Sequence, residues 1–240
     1  MVQQILKKEF NTFFSSNIGY LIVAIFLLAN GLFLWVFKTE FNILNAGFAD
    51  LSAFFNLTPW VFMFIIPAIT MKSFVEEYNS GTIEILKTKP ISNWQIVMGK
   101  FLGTSAILLV ALIPTIVYLL SIYLLSFPMG NIDLGSILGS YLGLLFIGLV
   151  FTSIGIFSSS ISKSQVGAFL VAIVLCFISF YGFNIVSETF LGASDVLESL
   201  SGFEYYKNIA KGVIDSRDLI YFLTTTAFFL FLSKSIIDGK

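Results

Sequence analysis

Histidine is absent from this chain of 240 residues, and cysteine occurs once. Without imidazole there is no histidine general base, no histidine-ligated haem and no Cys/His zinc site. One cysteine permits no intramolecular disulfide, and Cys176 lies inside an apolar run, where a buried thiol behaves as a small hydrophobe. Charge is scarce as well. Charged residues make up 11% of the chain against 57% hydrophobic, too little polar surface to cover a water-soluble globule. A net charge of −1 offers no basic surface to nucleic acid. Neither a G-x-x-x-x-G-K-[ST] phosphate loop nor a G-x-S-x-G nucleophile elbow occurs, so the chain is not read as an enzyme.

What the chain has is apolar length. A membrane-spanning helix needs about 20 mostly apolar residues. Six runs approach or exceed that: 18–37, 53–71, 96–127, 135–157, 166–186 and 219–232, the last sufficient once extended to 237. The expected fold is an all-α polytopic membrane protein, a single transmembrane domain over 1–240 with six transmembrane helices. The third run, about 45 Å long at 1.5 Å per residue, must tilt or project. Pro114 is placed to kink it, and Pro59 and Pro67 to kink the second. Lys7 and Lys8 precede the first run in the manner of a signal peptide, but its apolar core is too long and no cleavage site follows. It is read as an uncleaved helix.

Cationic residues set the orientation. With the N-terminus inside, the inner segments carry Lys7, Lys8, Lys72, Lys87, Lys89, Lys100, Lys163, Lys234 and Lys240, and the outer ones Lys38, Lys207, Lys211 and Arg217. That bias predicts both termini in the cytoplasm. With Lys100 assigned to the inner end of its run, the six cores contain no Asp, Glu, Lys or Arg. Ion paths and proton relays need such groups, so an ion-coupled carrier is disfavoured. Asn30, Asn184 and Thr224 to Thr226 are read as hydrogen-bond partners between helices.

Two further segments carry pattern. Gly135, Gly139 and Gly143 place small residues on one helix face, continued by Gly148, Thr152 and Gly155. They suit close packing against another span of this chain or against a second subunit. The outer loop 187–218 holds Tyr206, Ile209, Ala210 and Val213 at helical spacing, an amphipathic helix at the outer interface. It is read as a cap over a pathway or as an ordered connector. Leu200-Ser201-Gly202-Phe203 echoes an ATPase signature without its context, Asn56-Leu57-Thr58 matches a glycosylation acceptor by chance, and the acids Asp195, Glu198 and Glu204 have no metal-ligand spacing.

The cytoplasmic region 72–95 between the second and third runs is the most informative. Ser73-x-x-Glu76 fits a capping box, Ser80-Gly81 interrupts, and Thr82 is placed to cap a short helix. In that helix Ile83 and Leu86 share one face while Glu84 and Lys87 share another, and Pro90 ends it. Ser92-x-x-Gln95, with Ile91 and Ile96 as a hydrophobic staple, then starts the third span. The result is a stiff elbow, either a docking element or a helix resting on lipid.

Glu77-x-x-x-Gly81-Thr82-x-Glu84-x-Leu86, followed by Pro90 and Gly99-Lys100-Phe101, resembles the first cytoplasmic loop of ABC-2 type permeases. The stretch 212–219 resembles that family's approach to its sixth span. The resemblance implies an ABC-2 type (type V exporter-like) transmembrane-domain architecture, dimeric above two ATPase subunits. It implies a coupling helix at Gly81, Thr82, Ile83, Glu84, Leu86 and Lys87, approached by Glu76, Glu77 and Tyr78. ATP and magnesium would sit on the cytoplasmic ABC ATPase partner, with no cofactor in this chain. A second membrane subunit, or a second copy, would complete the permease in the bacterial inner membrane. Within the family the Glu77 to Glu84 run and the segment from Phe203 to Asp218 are similar to permease subunits of gliding-motility complexes. The alternative is a structural membrane anchor for an envelope assembly that transports nothing.

Overall fold

The computed structural model describes residues 1–45, 50–87, 91–189, 200–212 and 215–239, without the side chains of 85–87, 188 and 189. Lys89, Pro90, Asp195, Glu198, Val213 and Lys240, used above, lie outside the described residues. All regular structure among the described residues is helical. Hydrocarbon offers the backbone no hydrogen bonds, so a helix, which satisfies its own amides, is the form such runs must take.

In order, these are α1 (Val2–Ser15), α2 (Asn17–Gly31), α3 (Ser52–Thr70), α4 (Val75–Asn79) and α5 (Thr82–Lys87). Then follow α6 (Asn93–Leu112), α7 (Ile116–Leu125), α8 (Leu134–Ile161), α9 (Gln165–Phe177), α10 (Phe183–Thr189), α11 (Gly202–Ala210) and α12 (Ser216–Asp238). Among the described residues, six segments are long and apolar enough to cross a membrane: Asn17–Val36, Ser52–Asn79, Asn93–Leu125, Leu134–Ile161, Gln165–Ser187 and Ser216–Asp238. The six expected runs therefore fall on six helical segments.

Side chains fix several starts. The Ser92 hydroxyl accepts from Gln95 N while Ser92 N donates to Gln95 Oε1, a reciprocal capping box at the head of α6. Asp133, Ser164 and Asp215 cap α8, α9 and α12. Ser73 does not cap, because α4 follows Phe74 without a side-chain bond. Thr82 does not cap either; it is the first residue of α5. At Pro114 the third segment passes through a 3-10 turn, Ile113–Thr115, before α7. Pro59 and Pro67 both lie within the helical span of α3.

Pro59 has no N–H to offer the carbonyl four residues back, Phe55. That oxygen accepts instead from Tyr206 Oη at 2.6 Å. The partner comes from α11, whose Tyr206 and Ile209, 3% and 0% exposed, pack on the bundle while Lys207 and Asn208 on its other side are exposed. The helix has the two-faced character that the spacing predicts. Burial pushes the Tyr206 phenol above its ordinary range and keeps it a donor.

α8 is the hub, packed on α3, α6, α9, α11 and α12. Its small residues set the approach distances. A Cβ added at Gly139 would lie 2.5 Å from Ile209 O, and one at Gly143 would lie 3.1 Å from the Tyr206 ring. Ser136 and Ser140 hydroxyls donate to Ala210 O from the same face. Gly135 meets the glycine at 212, whose added Cβ would sit 3.2 Å from Gly135 C. The neighbour on this face is thus α11 and its end, not a spanning helix. Farther along, Gly148 faces Leu108 and Gly155 faces Thr70. Asn30 donates to Phe26 O in its own helix and accepts from Thr58 of α3.

One end of the bundle collects both termini. Asn93 Nδ2 donates to Asp238 Oδ1 at 2.7 Å, and α1 packs along α6. α4 and α5 lie at this same terminal face. A separate apolar cluster closes it, drawing Ile5, Phe74, Ile83, Ile96, Val97, Phe101, Ile156, Leu230 and Ile237 from six parts of the chain.

Candidate coupling site

The hook is built from a broken helix. Beyond Thr70 the chain makes irregular turns before α4, which strands backbone amides that a continuous helix would satisfy. Ser159 of α8 meets that need: its hydroxyl accepts from Phe74 N at 2.9 Å and donates to Met71 O at 3.1 Å. Gly81 then reverses the chain at φ 67, a conformation that strains any residue with a Cβ. The Ser80 and Thr82 hydroxyls meet at 2.9 Å across it.

Inside the hook lies a feature missed in the sequence. Lys100 stands two turns into α6, at the terminal-face end of the third apolar segment, and is 1% exposed. Its ammonium donates to Glu9 Oε1 at 2.7 Å and to Ser73 O at 2.5 Å, and lies 3.0 Å from Glu77 Oε2. It also sits 5.0 Å from the centroid of the Phe74 ring. A buried ammonium is costly unless several groups surround it. Here two carboxylates, a carbonyl and an aromatic face do so.

Glu77 also accepts from Lys8 Nζ at 2.8 Å. Burial opposes the Lys8 charge, but the hydrogen bond and negative charge of Glu77, with Glu9 and Glu76 nearby, hold that ammonium above the ordinary lysine range. Four charges on α1, α4 and α6 thereby form one connected unit.

α1 itself had been read only as the residues before the first span. It reaches the site because α6 presents Gly99 and Gly103, four apart. A Cβ at the first would lie 2.6 Å from Ile5 Cβ and one at the second 2.8 Å from Glu9 Cβ. Two signals were available: apolar residues at 2, 5, 6, 10, 13 and 14 in helical period, and the glycine pair bracketing Lys100.

The residues singled out for coupling divide between two sides. Glu77 and Ile83 are buried, the latter within the terminal-face cluster, and Tyr78 is half-buried against the Phe74 ring. Glu76, Gly81, Thr82 and Glu84 are exposed. Leu86 and Lys87 complete α5, with side chains outside the described residues. The hook therefore has a fixed inner face and a polar outer face bearing Glu76 and Glu84.

A bundle of six apolar helices with a buried charge cluster under one end defines a multi-pass helical membrane protein. The family described as ABC-2 family transporter protein matches residues 3–240, and the chain belongs to it. Members of this family are membrane components that typically pair with a cytoplasmic ABC ATPase. Comparison with curated proteins gives no match.

Proposed function

We propose that this chain is the membrane-spanning permease subunit of an ABC complex. A separate cytoplasmic ATPase, holding ATP and magnesium, docks on the outer face of residues 76–87 and drives helix movement through it. The observation that carries this reading is the Lys100 cluster, because it makes the hook rigid with the bundle. A push on the exposed Glu84 side reaches α1 and α6 through Glu77, Glu9 and Lys100 instead of being absorbed by a loose loop. Residues 135, 139 and 143 serve packing within the subunit on this reading.

The terminal face is then cytoplasmic, in agreement with the distribution of lysines, and the membrane is the bacterial inner membrane. The Glu77 to Glu84 run and the segment from Phe203 to Asp218 resemble GldF, the permease subunit of a gliding-motility complex. That resemblance supports work on the cell envelope, by export or by mechanical transmission, with a GldA-like ATPase and a GldG-like second membrane subunit or a second copy of this chain.

The test is purification of the complex from native membranes with the Glu84→Lys and Gly81→Pro variants. Loss of ATPase copurification with normal membrane insertion is the expected result. An ATPase retained at the wild-type level with unaltered ATP turnover would favour the structural anchor. Gliding measured in cells carrying the same variants tests the motility assignment separately.

A further inference from the structure

The terminal face holds a cavity of about 360 Å³ between α1, α2, α3, the hook and α6, a volume in the range of small-ligand sites. Its buried lining combines apolar Ile22, Ile69 and Ile107 with polar Ser73, Glu77 and Thr104, and half-buried Phe13 and Ala68 add apolar surface. Lys8, Lys72 and Glu76 are its more exposed charged residues and mark the mouth. A space with both apolar and charged walls fits an amphiphile.

The charges narrow the choice. Glu9 and Glu77 are engaged by Lys100, and Lys8 is engaged by Glu77. Among the described residues, Lys72 and Glu76 have no ion-pair partner. One unpaired cation and one unpaired anion, four residues apart at the same mouth, complement a headgroup carrying both signs. Lys72 suits a phosphate and Glu76 an ammonium.

The cavity also has a route to the bilayer. Ile18 lines it and is 49% exposed, on the same helix as Tyr20, Leu21 and Ile25, which are 61%, 56% and 49% exposed. In a membrane those side chains face acyl chains, so a lipid reaches the mouth along α2 without crossing water.

We infer that this cavity is a binding site for an amine-bearing zwitterionic phospholipid of the phosphatidylethanolamine class, one acyl chain lying between α1 and α3 and the headgroup bridging Lys72 and Glu76. The inference requires only that the chain spans a membrane and is independent of any ATPase partner. A lipid there supports the underside of α1 and the hook.

The experiment uses the full chain in phosphatidylcholine vesicles doped with a phosphatidylethanolamine whose acyl chain carries a photoactivatable diazirine. Peptide mapping after illumination is expected to place adducts at residues 13–22 and 65–72 above the level on other lipid-facing segments. Ala68→Trp, which fills the cavity, should reduce those adducts several-fold and leave others unchanged. Lys72→Gln and Glu76→Gln, which alter only the mouth, should each reduce them at least threefold. Uniform labelling insensitive to all three variants overturns the site. Equal labelling by a phosphatidylglycerol probe, indifferent to Glu76→Gln, overturns the ammonium assignment. Competition by soluble glycerophosphoethanolamine as effective as by the intact lipid overturns the role of the acyl chain.

Discussion

Glu9 and Lys100, 91 residues apart in sequence, meet at 2.7 Å and join the first helix to the third apolar segment beneath the hook. The pair is asymmetric: the lysine is 1% exposed and the glutamate 18%. Removing the cation alone leaves Glu9 without its ion-pair partner and Glu77 with only the exposed Lys8. Breaking a buried pair in this way costs about 3–5 kcal/mol. Lys100→Met is therefore expected to lower the thermal unfolding midpoint in detergent and release α1 to protease. Adding Glu9→Gln and Glu77→Gln should recover most of the loss, because the one charge then left in the cluster, on Lys8, is exposed to solvent. A triple variant as unstable as the single one would show that packing volume, not charge, governs the site.

Pro59 and Tyr206 form a second dependency. The proline removes a helix hydrogen bond and the tyrosine satisfies the freed Phe55 carbonyl. Tyr206→Phe strands a buried acceptor, at a cost of about 1–3 kcal/mol. In a Pro59→Ala background the helix amide returns and the cost should fall by at least half. The double-mutant cycle, read by thermal unfolding, isolates this coupling. Additive effects would show that the two positions act separately.

The six spans were legible because apolar length alone specifies a helix in hydrocarbon. The Ser92–Gln95 box was legible because its chemistry is local. Lys100 was not, since its partners come from residues 9, 73, 77 and 74, and tertiary contact decided whether that lysine lay at a membrane edge or inside the fold. α1 was overlooked for a different reason. Its period is helical but its composition is mixed, so a search for membrane-length runs passes over it. The target of the glycine face was equally hidden: spacing predicts close approach, but only topology shows that α11 fills it.

That distinction has a measurable consequence among the glycines of α8. An added Cβ at Gly148 meets Leu108 Cδ2 at 2.3 Å, the far end of a flexible side chain that can turn aside. One at Gly139 meets a backbone carbonyl, Ile209 O, at 2.5 Å, and has the backbone at 212 only 3.0 Å away. Gly148→Ala should cost under about 1 kcal/mol, whereas Gly139→Ala should cost about 1–3 kcal/mol by overpacking. Protease nicking near α11 should increase only in the second. Equal effects would mean that α11 moves as readily as a leucine side chain.

Lys8 gives the terminal face a pH dependence whose direction is set by Glu77. Its pKa is raised in the folded protein, so the contribution of the pair is complete below the unfolded lysine value. It is lost as pH rises through the higher folded value. With the Lys8 side chain 55% exposed, solvent screening limits the contribution to about 1 kcal/mol or less. A spin label on a cysteine introduced at Gln3, with Cys176 replaced by alanine, should report constant α1 mobility from neutral pH to the ordinary lysine range. Mobility should then rise at more alkaline pH. Lys8→Met should abolish that step and Lys8→Arg should move it beyond the accessible range, because guanidinium keeps its proton. A step that persists unchanged in Lys8→Met would assign the transition to another group and remove Lys8 from the link between α1 and the hook.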